Sequence, residues 1–181
     1  RLAGGDLQFS GGMRSKDGGG PIQFTGQGQA TAEGLRQTSQ LGAVATLADR
    51  VTGSTNYTAQ LTMVGGQPEL DIQSNLQGMS LALPAPLNKA LDAVWPLRYG
   101  YRVSATSSEK TSDVTTVTLA SQQSPLLALT LHKDTTNDAT TLRRGLLLIG
   151  RAAGSRVPLP PQGLSVRMAL PSLDADAWAN S

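Results

Sequence analysis

The chain has 181 residues, with 15 lysines and arginines against 13 aspartates and glutamates, one histidine and no cysteine. That length suits one domain with a sizeable core, and the lack of thiols excludes disulfides, thiolate metal sites and a cysteine nucleophile. A net charge of +2 with no basic run, and aromatic residues at 4%, supply neither a phosphate-binding stripe nor stacking platforms, which argues against nucleic acid as a partner.

Strand periodicity runs through the chain. A first strand is expected over Asp6 to Ser10, then a Gly-rich segment from Arg14 to Gly20, Pro21, and a second strand from Ile22 to Thr25. Leu7-Gln8-Phe9-Ser10-Gly11 and Ile22-Gln23-Phe24-Thr25-Gly26 are one pentad written twice, as in a sheet built from similar successive strands. From Leu35 to Val51 the alternation fails. There Leu41, Val44, Leu47 and Ala48 share a helical face and predict a short helix ended by Gly53.

Alternation is clearest between Asn56 and Leu83. Tyr57, Ala59, Leu61 and Met63 point one way, and Thr58, Gln60 and Thr62 the other. A period of two marks strands with one buried and one solvated face. Gly65-Gly66-Gln67-Pro68 predicts the hairpin turn between Tyr57–Val64 and Glu69–Leu76. Gly78 then permits a bend before Met79–Leu83. Pro84 and Pro86 stop the sheet, and Leu87 to Val94 is expected to form one or two helical turns.

Leu97–Ala105, Val114–Leu119, Leu127–Leu131, Thr141–Ile149 and Leu164–Leu170 read as further strands. Polar turns at Ser107 to Ser112 and Asp134 to Asp138, and a Pro-rich linker at Val157–Pro161, separate them. Nine or ten strands approach the limit for one open twisted sheet. The expected fold is mainly β: one large, curved, mostly antiparallel sheet, groove-like, with one or two short helices.

Catalytic chemistry is sparse. His132 is the only histidine, so no pair of His ligands can hold a metal, and no G-x-S-x-G elbow accompanies it. Its place on the polar side of an alternating strand reads as a solvated sheet histidine. Asp174 and Asp176 lack a calcium-loop context and read as a cap or acidic turn. The glycine clusters have neither dinucleotide nor Walker spacing. Arg143-Arg144 reads as a surface pair at a strand entrance, with a lipid headgroup as the alternative. A carbohydrate-cleaving site needs paired carboxylates beside aromatic platforms, and the chain has two tryptophans. No enzyme activity, cofactor or metal is expected.

Two segments carry a more specific signal. Ser74-Asn75-Leu76-Gln77-Gly78 leads to Leu83-Pro84-Ala85-Pro86-Leu87-Asn88-Lys89, and Leu170-Pro171-Ser172-Leu173-Asp174-Ala175-Asp176-Ala177-Trp178 comes near the end. Together with Val51-Thr52-Gly53-Ser54-Thr55-Asn56-Tyr57, they resemble the YhdP family of AsmA-like bacterial envelope proteins, with its "LPxPLxK" and "LPxLDxDxW" segments. The motif residues are Leu83, Pro84, Pro86, Leu87, Lys89, Leu170, Pro171, Leu173, Asp174, Asp176 and Trp178.

The resemblance covers 51–178, and 1–50 contribute N-terminal strands and linker to a single β-rich segment, 1–181. It implies a piece of a longer periplasmic protein of a Gram-negative bacterium, anchored in the inner membrane by a helix outside this segment; the opening on Arg1 fits such an excised piece. It also implies movement of phospholipid between inner and outer membranes. The longest apolar run, Gly145 to Gly150, is too short to span a bilayer, and no signal peptide is visible.

Sheet and resemblance meet in one expectation: an apolar β-face that holds acyl chains at about 0.8 kcal/mol per buried CH₂. The residues expected to line it are Tyr57, Leu61, Met63, Leu70, Ile72, Leu81, Leu127, Leu129, Leu131, Leu164, Val166 and Met168. Taken singly, each fits an ordinary core position better. The alternative function is an interaction module that pairs its edge strands with flanking β-segments of the parent protein and binds no lipid itself.

Overall fold

The computed structural model describes residues 7–13, 22–37, 49–105, 110–122, 124–136, 139–172, 174, 176 and 178. The helix expected around Leu41 to Ala48, the Gly-rich segment at Arg14 to Gly20, and Leu173 lie outside these residues.

Ten strands form one open mixed sheet. They are β1 (Leu7–Met13), β2 (Ile22–Thr31), β3 (Val51–Val64), β4 (Gln67–Ser74), β5 (Met79–Leu81), β6 (Leu97–Ala105), β7 (Lys110–Ser121), β8 (Ser124–Thr136), β9 (Ala139–Gly150) and β10 (Gly163–Ala169). Their order is β1-β2-β3-β4-β6-β7-β8-β9-β10, with β5 attached to the start of β3. Every pairing is antiparallel except β9 with β10. The twin pentads become neighbouring strands, running in opposite directions.

The β3–β4 hairpin turns at Gly65 and Gly66, with φ of 57° and 79°. Two successive positive φ values give the turn whose twist matches that of the strands. One-residue register shifts leave Leu126 and Arg143 without partners opposite Leu119/Ala120 and His132/Lys133 and bend β8 and β9 locally.

A single helical turn, α1 (Ala32–Arg36), follows β2, with the Thr31 side chain accepting from the Gly34 N–H at 3.0 Å. The expected helical turns at Leu87 to Val94 do not form. That stretch is a series of turns in which Leu91 and Val94 stay 54% and 48% exposed, so the apolar spacing buries nothing that would reward a helix. Two strand readings also change. Gly53 lies inside β3 and not at a helix end, and Met79–Leu81 pairs with Val51–Gly53, so it does not continue β4.

That pairing depends on two glycines. Gly53 and Gly78 have φ of +88° and +87°, and a side chain on Gly53 would collide with the Gly78 carbonyl. In return the Ser54 N–H donates to that carbonyl at 2.9 Å.

Parallel β10 requires the chain to return the length of β9 between Gly150 and Gly163. A 3-10 turn at Arg151–Gly154 begins this path. Its Ala153 lines a depression of about 220 Å³ with Arg98, Thr118 and Ala128, and Leu146 and Leu148, on the same side of the sheet by pleat, are among the buried residues. The 3-10 turn therefore packs at β8, β9 and β10, the end of the sheet where the chain reverses.

Candidate functional site

Register puts the apolar positions of nine strands into continuous cross-strand rows. The central row runs Phe9, Gly26, Ala59, Ile72, Tyr99, Val117, Leu129, Leu147 and Val166. One flanking row contains Tyr57, Leu127 and Met168, and the other Leu61, Leu70, Leu131 and Leu164. Met63, paired with Ile22, lies one step beyond. Eleven of the twelve residues expected to line an apolar face thus share one side of the sheet. Leu81 lies elsewhere, on β5, opposite Val51.

No second layer covers this face among the described elements. Apart from neighbouring strands, substantial packing is confined to α1 against β2 and β3 and the 3-10 turn against β8, β9 and β10. Leu164, Val166 and Met168 are 54%, 53% and 51% exposed, and Leu61, Ile72, Leu129 and Leu131 are half-buried. A sealed core would leave such residues dry, and contiguous apolar surface of this extent marks a binding surface. Eight inter-strand steps and three rows make it roughly 38 Å by 14 Å. It is a broad open surface, not an enclosed cavity. A depression of about 870 Å³ lies instead among Gln8, Gln27, Gln29, Asn56, Gln73 and Arg98, whose side chains belong to the hydrophilic side.

That opposite side bears Asn56, Thr58, Gln60 and Gln73, all exposed, with Arg102 ion-paired to Glu69 at 3.4 Å and Asp71 at 3.9 Å. His132 lies here, half-buried and opposite Arg144. Arg143 reaches Asp134 at 3.9 Å. Burial first, then the charges of Arg144 and Arg143, hold the His132 imidazole below its ordinary 6.5, with Asp134 opposing. The unfolded chain thus takes up the proton more readily. Stability contributed by neutral His132 is complete above about pH 6.5 and declines as pH falls through that value. Melting curves of His132→Gln should show a shallower decline between pH 7 and pH 5 than those of the parent chain.

One end of the apolar face is closed by a knot made of the motif segments. Ser74 Oγ donates to the Asn56 carbonyl at 2.7 Å, the Trp95 N–H to the Asn75 carbonyl at 2.8 Å, and the Gly78 N–H to the Leu91 carbonyl at 2.8 Å. Leu81 and Lys89 exchange backbone hydrogen bonds at 3.0 Å. Lys89 is 4% exposed, and its Nζ donates to the carbonyls of Met79 at 2.7 Å and Ala90 at 3.0 Å. Burial lowers its pKa, with Asp92 opposing. Leu83, Trp95, Tyr57 and Met79 are buried as well; burial also pushes the Tyr57 hydroxyl up.

Trp178 joins this knot from the far side of the sheet. Its indole N–H donates to the Ala85 carbonyl at 3.0 Å, and its backbone N–H to the Asp174 carbonyl at 3.1 Å. The "LPxPLxK" and "LPxLDxDxW" segments therefore touch, although β3 and β10 stand six strand steps apart, about 29 Å. Pro84, Pro86 and Leu87 shape the loop around Ala85, where the Leu87 N–H donates to the Pro84 carbonyl at 3.0 Å. Leu170 packs beside Gly150, and Pro171 and Asp176 flank it in the tail. Replacing Lys89 with methionine strands the Met79 carbonyl without its donor. A loss of about 1–3 kcal/mol is expected, visible as a lower urea midpoint with an unchanged m-value.

No group of three or more potential metal ligands occurs among the described residues, and none of their helices is long and apolar enough to cross a membrane. Among the described residues, fold and site together define an open-sheet protein whose distinctive surface is an uncovered apolar face bordered at one end by the motif segments. The family model described as YhdP protein matches residues 1–180. The chain belongs to the YhdP family of AsmA-like bacterial envelope proteins. The match includes the first fifty residues, which the motif segments do not reach. Comparisons with curated proteins and with solved structures give no match.

Proposed function

We propose that this segment binds phospholipid acyl chains on its apolar face and, within the parent protein, helps to conduct them across the periplasm between inner and outer membranes. The observation that carries the reading is the broad, mainly apolar surface on nine paired strands with no packed layer above it among the described residues. A surface of this kind in water gains free energy from any hydrocarbon that covers it. One leaflet's acyl chains span about 15 Å, half of the roughly 30 Å bilayer core, which matches the 14 Å depth of the three rows. Binding needs no catalytic group, and the reading is of a non-enzymatic conduit anchored through a part of the parent outside this segment. The test is the lipid content of the purified chain, by native mass spectrometry and thin-layer chromatography. Co-purified phospholipid near one molecule per chain is expected, and a lipid-free protein would contradict the reading.

A second reading has its own observation. Among the described residues β1 and β10 are the open edges, and both carry well-exposed apolar side chains, Phe9 at 56% on one and Leu164, Val166 and Met168 on the other. Such edges accept further strands, so the segment extends a longer β-structure of the parent. Continuous sheet and lipid surface are compatible, because a flanking strand prolongs the same face.

A further inference from the structure

The apolar face carries two charged side chains at its margin. Asp113 lies on it, directly opposite Val103 on β6 and Lys133 on β8, one row beyond Tyr101 and Thr115. It is 8% exposed. Among the described residues no cation lies within ion-pair distance of its carboxylate, and Lys133, although opposite, forms no ion pair with it. A carboxylate beside a lysine without closing on it leaves both groups open to a ligand of complementary charge. Burial, with the Asp113 charge adding to it, raises the pKa of the Tyr99 and Tyr101 hydroxyls. Both therefore remain protonated donors facing the same place.

The sequence beyond this polar row is equally specific. From Asp113 the same face of β7 continues through Thr115, Val117 and Leu119, and from Lys133 the face of β8 continues through Leu131, Leu129 and Leu127. These are two apolar ladders side by side, each headed by a charge of opposite sign. From Asp113 to Leu119 is about 20 Å, enough for an acyl chain of about 15 Å.

We propose that Asp113 and Lys133 form a headgroup site for a zwitterionic aminophospholipid, with its two tails on the ladders of β7 and β8. The primary ammonium sits at the Asp113 carboxylate and the phosphate at Lys133, with the Tyr101 hydroxyl available to a phosphate oxygen. One carboxylate and one ammonium match one ammonium and one phosphate, so an anionic headgroup without an amine leaves Asp113 unpaired. The inference rests on the acyl-binding reading above.

The purified chain, delipidated and then equilibrated with mixed micelles of phosphatidylethanolamine and phosphatidylglycerol of identical chains, is scored for bound lipid by native mass spectrometry. The parent chain should prefer phosphatidylethanolamine at least fivefold. Asp113→Asn should bring the ratio close to one without reducing total lipid, Asp113→Glu should keep the preference, and Lys133→Met should lower binding of both lipids. Bound lipid with no preference, or a preference that survives Asp113→Asn, overturns the headgroup site and leaves acyl binding intact. No bound lipid of either kind in the parent chain overturns both.

Discussion

Alanine at Gly53 or at Gly78 is expected to lower the melting temperature by roughly 5–10 °C, corresponding to about 2–3 kcal/mol in a chain of this size. Two costs combine at each position. Both residues have φ near +90°, a region that a Cβ disfavours. A Cβ on Gly78 would also stand 2.5 Å from the Ser54 carbonyl oxygen, and one on Gly53 would overlap the Gly78 carbonyl. The strands must separate to admit either methyl, and the Ser54 N–H to Gly78 carbonyl bond is lost. Because both glycines serve one contact, the double variant should cost less than the sum of the two. Thermal unfolding followed by far-UV circular dichroism reads all three, and an unchanged midpoint would remove the glycine contact from the account of the knot.

The other large effect concerns function. Aspartates in place of Leu129 and Leu147, neighbours in the central row, should reduce co-purified phospholipid more than tenfold. Each carboxylate displaces hydrocarbon from an apolar contact and must keep its hydration, which an acyl chain lying over it denies. Both leucines are only half-buried on an uncovered face, so the sheet should persist with its strand signal intact. Thr58→Asp, on the hydrophilic side of β3, is the control and should leave bound lipid unchanged. Equal loss in the control would mean that charge as such, and not the face, governs binding.

Strands were legible because a half-buried sheet writes its period of two into the sequence. Tyr57 to Met63 and Leu127 to Leu131 show it most clearly, and eleven residues chosen from that pattern share one face. Leu87 to Val94 misled because Leu87, Leu91 and Val94 have helical spacing, whereas backbone pairing between Leu81 and Lys89 and the buried ammonium of Lys89 determine the local course. The attachment of β5 to the start of β3 is set by close approach of two glycines far apart in sequence, which periodicity cannot report. Nor does it report direction: β10 alternates like the other strands, and only the length of the return path from Gly150 permits its parallel pairing. Asp113 was hidden for a related reason. The apolar alternation of that strand is apparent only from Val114, which faces the hydrophilic side, while Asp113, Val117 and Leu119 share the apolar one. The contact of Trp178 with Ala85 joins two segments that the family resemblance named separately, and no local signal links them.

The alternation itself supplies the most direct test of acyl binding on this face. A photoreactive benzoyl-phenylalanine at Leu129 and, in a second protein, at Thr130 places the same probe on adjacent residues that point to opposite sides of the sheet. Irradiation in cells, followed by mass spectrometry of the purified chain, should give phospholipid adducts at 129 and none above background at 130. Equal labelling at the two positions, or adducts at 130 alone, would contradict an acyl path along the apolar side.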